Sequence, residues 1–447
     1  MDASARARFA FPAMDEYSRH LLQEHRDADT VHLEAHLPGA VDGIRIATAF
    51  AEVLADRPRL LVRQSPARWW HRRYHWEPAA PGPGAVRTGD DLGRARHRAL
   101  SEPPPLGAGP PLRLEAVALP DGGTALVLTA AHTLADAGTC LRLLCDLADH
   151  YAAPAPALAP AVAPAPVPAR GPGPTPGARA VRRGGPPIAP AGAVRRAARR
   201  PARIALAPGP APGTGTGLYL TAVPVPGTSV PRASGPSPFT VNDLLLTAVQ
   251  LGITAWNRQH GRPDGPVVLS MPVDDRPEGP LAAAAPMGNH NHLATVHGAV
   301  PSPDVLSALA GTAAQTRAAK AAPAAGPGPV AALVSTGWLP VGAKAPLTRA
   351  LRRATAPWTS TALVSNLGRV GHPLDFGPAG RATALWFSAP VRMPRGLSVG
   401  AVTIDSRLHL AFRYCRALLD REAAAGLAER CLEALELLVK AAGEERA

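Results

Sequence analysis

Residues 124–147 read TALVLTAAHTLADAGTCLRLLCDL, and this stretch decides how the 447-residue chain is built. From Thr124 to His132 the run is apolar, short and partly β-branched, which predicts a buried strand. The period then changes. Between Asp136 and Tyr151, Leu141, Leu143, Leu144 and Leu147 fall on overlapping faces of a helix. The junction is His132-Thr-Leu-Ala-Asp136, followed by Ala137 and Gly138. The strand fixes His132 while the loop exposes it, and imidazole is the natural general base near neutral pH. Asp136 opens the helix, where a carboxylate accepts from free N–H groups and complements the helix dipole. H-x-x-x-D spacing alone is common by chance, and a lone histidine at such a place is more often structural than catalytic.

Outward from this junction both halves of the chain mix helix and strand. In the first half, Met14–His25 and Asp42–Ala55 have helical spacing, and Thr30–Leu37, Arg59–Gln64 and Pro111–Ala118 look like strands. In the second, Thr240–Gln259 reads as a helix with Thr240 or Asn242 near its start. Pro303–Ala322 is an Ala-rich helix and Asp420–Ala442 a long amphipathic one. Val267–Pro272, Ser360–Ser365, Ala382–Ser388, Leu397–Asp405 and Leu408–Tyr414 read as strands.

Between the halves lies a different kind of sequence. Residues 153–217 are nearly all Ala, Pro, Gly and Arg, and hold 16 of the 52 prolines. Proline removes donors and fixes φ, so this composition builds no core and reads as a largely disordered linker, with a short basic helix possible over Arg195–Arg203. The organisation expected is thus 1–152, linker 153–217, and 218–447. The linker also explains the charge. Its nine arginines and absence of acids leave only +4 of the net +13 for everything else. A basic globular surface for nucleic acid is not expected; a solvated linker, or one touching an acidic partner, is.

Composition excludes other classes. With 46% hydrophobic and 18% charged residues the chain can bury sizeable cores, so disorder throughout is ruled out. Cys140, Cys145, Cys415 and Cys431 have no metal-type spacing and suit a reducing compartment. The first residues carry no continuous apolar region for a secretory signal, and no apolar run is long enough for a membrane span, so a cytoplasmic location is expected.

The stretch 124–147 resembles the active-site strand, loop and helix of the condensation-domain and CoA-dependent acyltransferase superfamily. That group includes peptide-synthetase condensation domains, polyketide-associated acyltransferases, wax ester synthases and BAHD acyltransferases. Bacterial members commonly show H-H-x-x-x-D-G; Ala131 and Ala137 replace the first histidine and the glycine here. These departures count more against a peptide-synthetase reading than against a general acyltransferase, because BAHD-like members require only H-x-x-x-D. Four further segments are similar in order: Thr240-Val-Asn-Asp243, Val268-Leu-Ser-Met-Pro-Val-Asp-Asp-Arg276, Gly288-Asn289 and Val364-Ser365-Asn366-Leu-Gly368. Pro58–Arg63 resembles the family's R-H-P-x-L-R step in outline only.

The resemblance implies an α/β (α+β) fold of two chloramphenicol-acetyltransferase-like lobes with an active-site channel between them. It implies His132 as the catalytic base and an Arg276–Asp136 salt bridge, bidentate, locking the loop from the other lobe. Ser365, Asn366, Gly138 and Asn289 become candidates for oxyanion or channel positions. The implied reaction moves an acyl group from a CoA or acyl-carrier-protein phosphopantetheine thioester to a hydroxyl or amine of a small-molecule acceptor, and secondary metabolism is its expected setting. No metal and no covalent enzyme intermediate is implied, and the thioester is substrate rather than cofactor. Two alternatives stay open: a condensation enzyme joining two carrier-bound intermediates, and a non-catalytic binding protein that keeps the fold.

Three lookalikes are set aside. His290-Asn291-His292 lacks the spread of a nuclease H-N-H fold and a third metal ligand, and reads as a loop or channel lining. Asp375-Phe376-Gly377 has no accompanying kinase motifs, and matches the BAHD D-F-G-W-G motif only in part. The stretch from Trp69 to Trp76 reads as an edge strand packing its aromatics, or as a stacking platform.

Overall fold

The computed structural model describes residues 8–22, 28–81, 84–153, 200–207, 213–226, 239–282, 284–298, 304–322 and 329–444. In chain order the strands are β1 (Phe9–Ala10), β2 (Thr30–Leu37), β3 (Val62–Gln64), β4 (His75–Pro78), β5 (Val86–Gly89), β6 (Leu112–Ala118), β7 (Thr124–Ala131), β8 (Thr216–Pro224), β9 (Val268–Asp274), β10 (Asn291–His297), β11 (Ala362–Arg369), β12 (Ala384–Ser388), β13 (Leu397–Ile404) and β14 (Arg407–Cys415). The helices are α1 (Ala13–Leu22), α2 (Gly43–Ala55), α3 (Leu92–Ser101), α4 (Ala137–Ala152), α5 (Val241–Gln259), α6 (Val305–Ala321), α7 (Pro329–Val334), α8 (Val341–Thr355) and α9 (Arg421–Glu444).

Two mixed, mainly antiparallel sheets carry the two lobes. One has the order β12-β2-β7-β6-β5, the other β10-β9-β11-β13-β14-β8. Every residue of β7 is buried, because sheet neighbours flank it on both sides and helices cover its faces. The first core packs α2 and α4 on the first sheet through Ile46, Phe50, Leu128, Leu141 and Leu144. The second packs α5 and α9 on the other sheet through Leu246, Val249, Val399, Leu427 and Leu438. Long amphipathic helices on strands make this a two-layer arrangement repeated twice.

The ends of these elements follow local chemistry. Asp42 caps α2, Asp136 caps α4, and Thr240 with Asp243 forms a reciprocal capping box on α5. Of the two expected starts for α5, Thr240 is therefore the cap. The helix expected over Met14–His25 ends at Leu22 within the described residues.

Several expectations are corrected. The sequence division at 218 is not the division of the sheets, since β12 crosses over and pairs antiparallel with β2, Leu385 opposite Ala35. Gly400 on β13 permits this close approach, because a β-carbon there would collide with the Phe387 carbonyl. Residues 200–207, counted in the linker, are packed: Ile204 and Ala205 are buried, and Arg203 donates to the carbonyls of Ala356 and Thr359. β8 already begins at Thr216. The rest of the linker, 154–199 and 208–212, lies outside the described residues.

The aromatic stretch is no edge. β4 is the middle strand of a third sheet, β1-β4-β3, with Trp76 fully buried while Trp69 and Trp70 stay exposed. α3 and α8 escape the periodicity reading for opposite reasons. α3 buries only Ala95, Ala99 and Leu100 beneath its arginines. α8 contains Pro346, which reads as a breaker, yet its buried Lys344 pairs with Glu16 at 2.6 Å and ties it to α1.

Candidate active site

His132 leaves the end of β7, and its backbone N–H extends the ladder by donating to Asp29 O at 2.9 Å. The loop turns at once, with Leu134 N donating to Ala131 O at 2.8 Å. Ring atom Nδ1 lies 3.2 Å from Ala135 O. A carbonyl only accepts, so Nδ1 carries the proton and Nε2 holds the lone pair. The half-buried ring lines a cavity of about 800 Å³ where the two sheets and α8 meet.

The loop is fastened from the other lobe. Arg276, just after β9, places Nη2 at 3.0 Å from both carboxylate oxygens of Asp136. The expected salt bridge is present, but one nitrogen serves both oxygens, where a two-nitrogen fork was expected. The other donors go elsewhere: Nη1 to Asp274 at 2.8 Å and Nε to Pro286 O at 3.0 Å. Asp136 also accepts from Thr139 N at 2.8 Å and His290 N at 2.9 Å. Burial alone would raise the Asp136 carboxyl, but Arg276 and these N–H donors outweigh it and hold the pKa below its ordinary value. For Arg276 the same balance ends above the usual guanidinium range: burial opposes the charge, and Asp136 and Asp274 more than compensate.

The other site candidates separate. Ser365 lines the cavity from β11. Asn366, one residue on, turns its side chain back to accept from Gly368 N at 2.8 Å. Gly138 is not among the residues that line the cavity. A β-carbon there would lie 2.9 Å from Pro280 and 3.2 Å from Arg276 Nη1, so its bareness admits the guanidinium. Asn289 is a clamp: its Nδ2 donates to His132 O at 2.8 Å and to Asp15 Oδ1 at 3.0 Å.

Sequence reading missed what holds that clamp. Asp15 on α1 also receives Arg59 at 2.6 Å and Trp76 Nε1 at 2.8 Å. The link thus runs from the third sheet through Asp15 and Asn289 to the His132 backbone. Only Pro58–Arg63 hinted at it. Asn291, the centre of His290-Asn291-His292, lines the cavity and reaches Asp136 at 3.3 Å, consistent with a channel lining. Among the described residues no group of three or more possible ligands is placed to hold a metal. All four cysteines are buried, and burial pushes Cys145 and Cys431 up to about 12, so none is a thiolate nucleophile. Phe376 of Asp375-Phe376-Gly377 is buried against Tyr151, a packing role. Among the described residues no helix is long and apolar enough to cross a membrane.

No family model and no curated protein matches the chain. Solved structures do. The starter condensation domain of rhizomide synthetase superposes with a TM-score of 0.55 at 12% identity, over 97% of each chain. A mutant of that domain in complex with C8-CoA and Leu-SNAC gives 0.62 at 13% identity, over 97% of this chain and 94% of that one. The epimerization domain from the third module of tyrocidine synthetase B gives 0.56 at 14% identity, over 99% and 98%. At such identities the likeness speaks for architecture, and it runs the length of the chain. The chain therefore has the fold of these condensation and epimerization domains.

Proposed function

We propose that the chain is an acyltransferase that moves an acyl group from a CoA or carrier-protein thioester to an amine or hydroxyl acceptor. The observation that carries this reading is the placement of His132: Nδ1 lies 3.2 Å from Ala135 O, on the wall of a cavity between two lobes, which leaves Nε2 for the acceptor. The acceptor's N–H or O–H approaches Nε2 as its heteroatom attacks the thioester carbonyl. Nε2 takes the proton, a tetrahedral oxyanion forms, and the C–S bond breaks on collapse. The imidazolium returns the proton to the departing thiolate, so the enzyme ends as it began. The Ser365 hydroxyl, which lines the cavity, is the candidate donor to the oxyanion. Asp136 and Arg276 position the loop and touch no substrate.

A second reading joins two carrier-bound intermediates. It is favoured by the solved neighbours, which are domains of peptide synthetases.

Substituting His132→Ala in the native host and comparing extracts by mass tests the reaction. One acylated product should vanish while its free amine or alcohol accumulates. In vitro the rate constant should fall about 10²–10⁴-fold, with about 1 kcal/mol lost in stability for the Ala135 bond. Unchanged metabolites at normal protein level would remove His132 as the base and move a binding role to the front.

A further inference from the structure

The same cavity carries a second chemistry. Arg349, Arg352 and Arg353 line it from α8, and Arg392 and Arg395 from the segment after β12. Spacings of three and four residues put the α8 arginines on one helix face. The lining carboxylates are Asp29 and Asp136, and both are occupied: Asp29 by Arg392 at 2.6 Å, Asp136 by Arg276. Among the described residues, Arg349, Arg353 and Arg395 make no ion pair to a carboxylate. Arg395 instead donates to the hydroxyls of Ser360 at 3.0 Å and Ser270 at 3.3 Å. Its side chain is half-buried at the cavity wall. Burial, with the charges of Arg392, Arg203 and Arg352, holds its pKa down to about 10, Tyr17 opposing.

Gathering like charges on one cavity wall costs free energy in the empty protein. A bound anion offsets that cost. The position of the cluster says which molecule carries the anion. Arg392 pairs with Asp29, and Asp29 O accepts from the His132 backbone. Arg392 is thus joined to the His132 backbone through a single residue, and all five arginines line the same cavity as the base.

We propose that this wall binds an anionic group, carboxylate or phosphate, carried by the acceptor, so that the molecule acylated is an acid and not a neutral amine or alcohol. The transfer step rests on the function proposed above; the anion site does not.

Two arms test it on the full-length chain. The first needs no turnover. His132→Ala protein is titrated with 3-aminobenzoate, 3-aminophenyl phosphate and the neutral 3-aminobenzamide, with coenzyme A as the donor control. At least one of the two anions should bind about tenfold or more tighter than the amide, about 1.4 kcal/mol, and the stronger of them names the group. Added Arg353→Gln or Arg395→Gln should erase the preference while leaving coenzyme A affinity unchanged. Arg353 is exposed, so at least one variant folds. An amide that binds as well as both anions overturns the proposal. So does a loss of coenzyme A binding equal to the loss of anion binding, which would give the arginines to the donor's phosphates.

The second arm uses octanoyl-CoA as donor to wild-type protein. Arg353→Gln should raise KM for the preferred anion about tenfold and leave KM for the amide unchanged. Equal loss for both acceptors counts against the anion site. No transfer to any acceptor counts against the acyltransferase reading, and the binding arm then decides the anion site by itself.

Discussion

Arg276, behind the His132 loop, and Arg395, on the cavity wall, use the same side chain differently. Arg276 is almost fully buried, and acids balance it: Asp136 and Asp274, with the carbonyls of Pro286 and Gly288 and the Thr139 hydroxyl taking further bonds. Arg395 is half-buried, its partners are two neutral hydroxyls and its neighbours are other guanidiniums. Enclosure does not decide what an arginine does; the charge around it does. With carboxylates in place it rivets a loop. Without them it is left to meet an anion from outside.

The comparison breaks most visibly at Arg276. Arg276→Ala strands the buried Asp136 carboxylate, and removing one partner of a buried pair costs about 3–5 kcal/mol. Urea denaturation measures it; a loss below about 1 kcal/mol would mean that the rivet is ornamental.

Asp136→Asn comes next, at about 2 kcal/mol near neutral pH. Its pH dependence has a definite sign. The folded carboxyl titrates below its ordinary 3.8, so its stabilisation is present above that value and lost as pH falls through the lowered one. Stability profiles should therefore show a shallower acid limb in the variant. Parallel limbs would mean that Asp136 is not the titrating group.

Gly138→Ala pushes a methyl against Pro280 and Arg276, an overpacking cost of about 1–2 kcal/mol. It should appear as a lowered melting temperature, with activity lost in proportion as the loop shifts. A neutral outcome would show that the contact relaxes freely.

The smallest expected effect is at the other arginine. Arg395→Gln removes one of several like charges and gives up two bonds to hydroxyls, so the change should lie within about 1 kcal/mol of zero without ligand. Loss on the Arg276 scale would mean that both arginines are structural, and the distinction between them would fall.

Much of this site was legible along the chain. The apolar run of β7, the change of period at His132 and the cap at Asp136 are local facts, set by burial and by unpaired helix N–H groups. The Arg276 partnership came from resemblance, and its geometry did not: Asp274, two residues away, takes Nη1 and leaves one nitrogen for Asp136. Gly138, beside the motif, and Asn289, in a Gly-Asn pair that resembles a family segment, were candidates for oxyanion or channel positions. Packing gave them other work, since side chains from residues 276, 280 and 15 arrive there from distant parts of the chain.

The sequence by itself determined the elements around the motif: the strand before His132, the helix opened by Asp136 after it, and a helix starting near Thr240 or Asn242. These depend on neighbours within a few positions, where periodicity and hydrogen-bond supply are readable. Only the tertiary structure decided that β12 would leave its half of the chain to pair with β2, and that α8 would turn three arginines onto the cavity that holds His132. Those outcomes are set by which buried surfaces complement one another across hundreds of residues, as when Lys344 finds Glu16, and no local pattern encodes that choice.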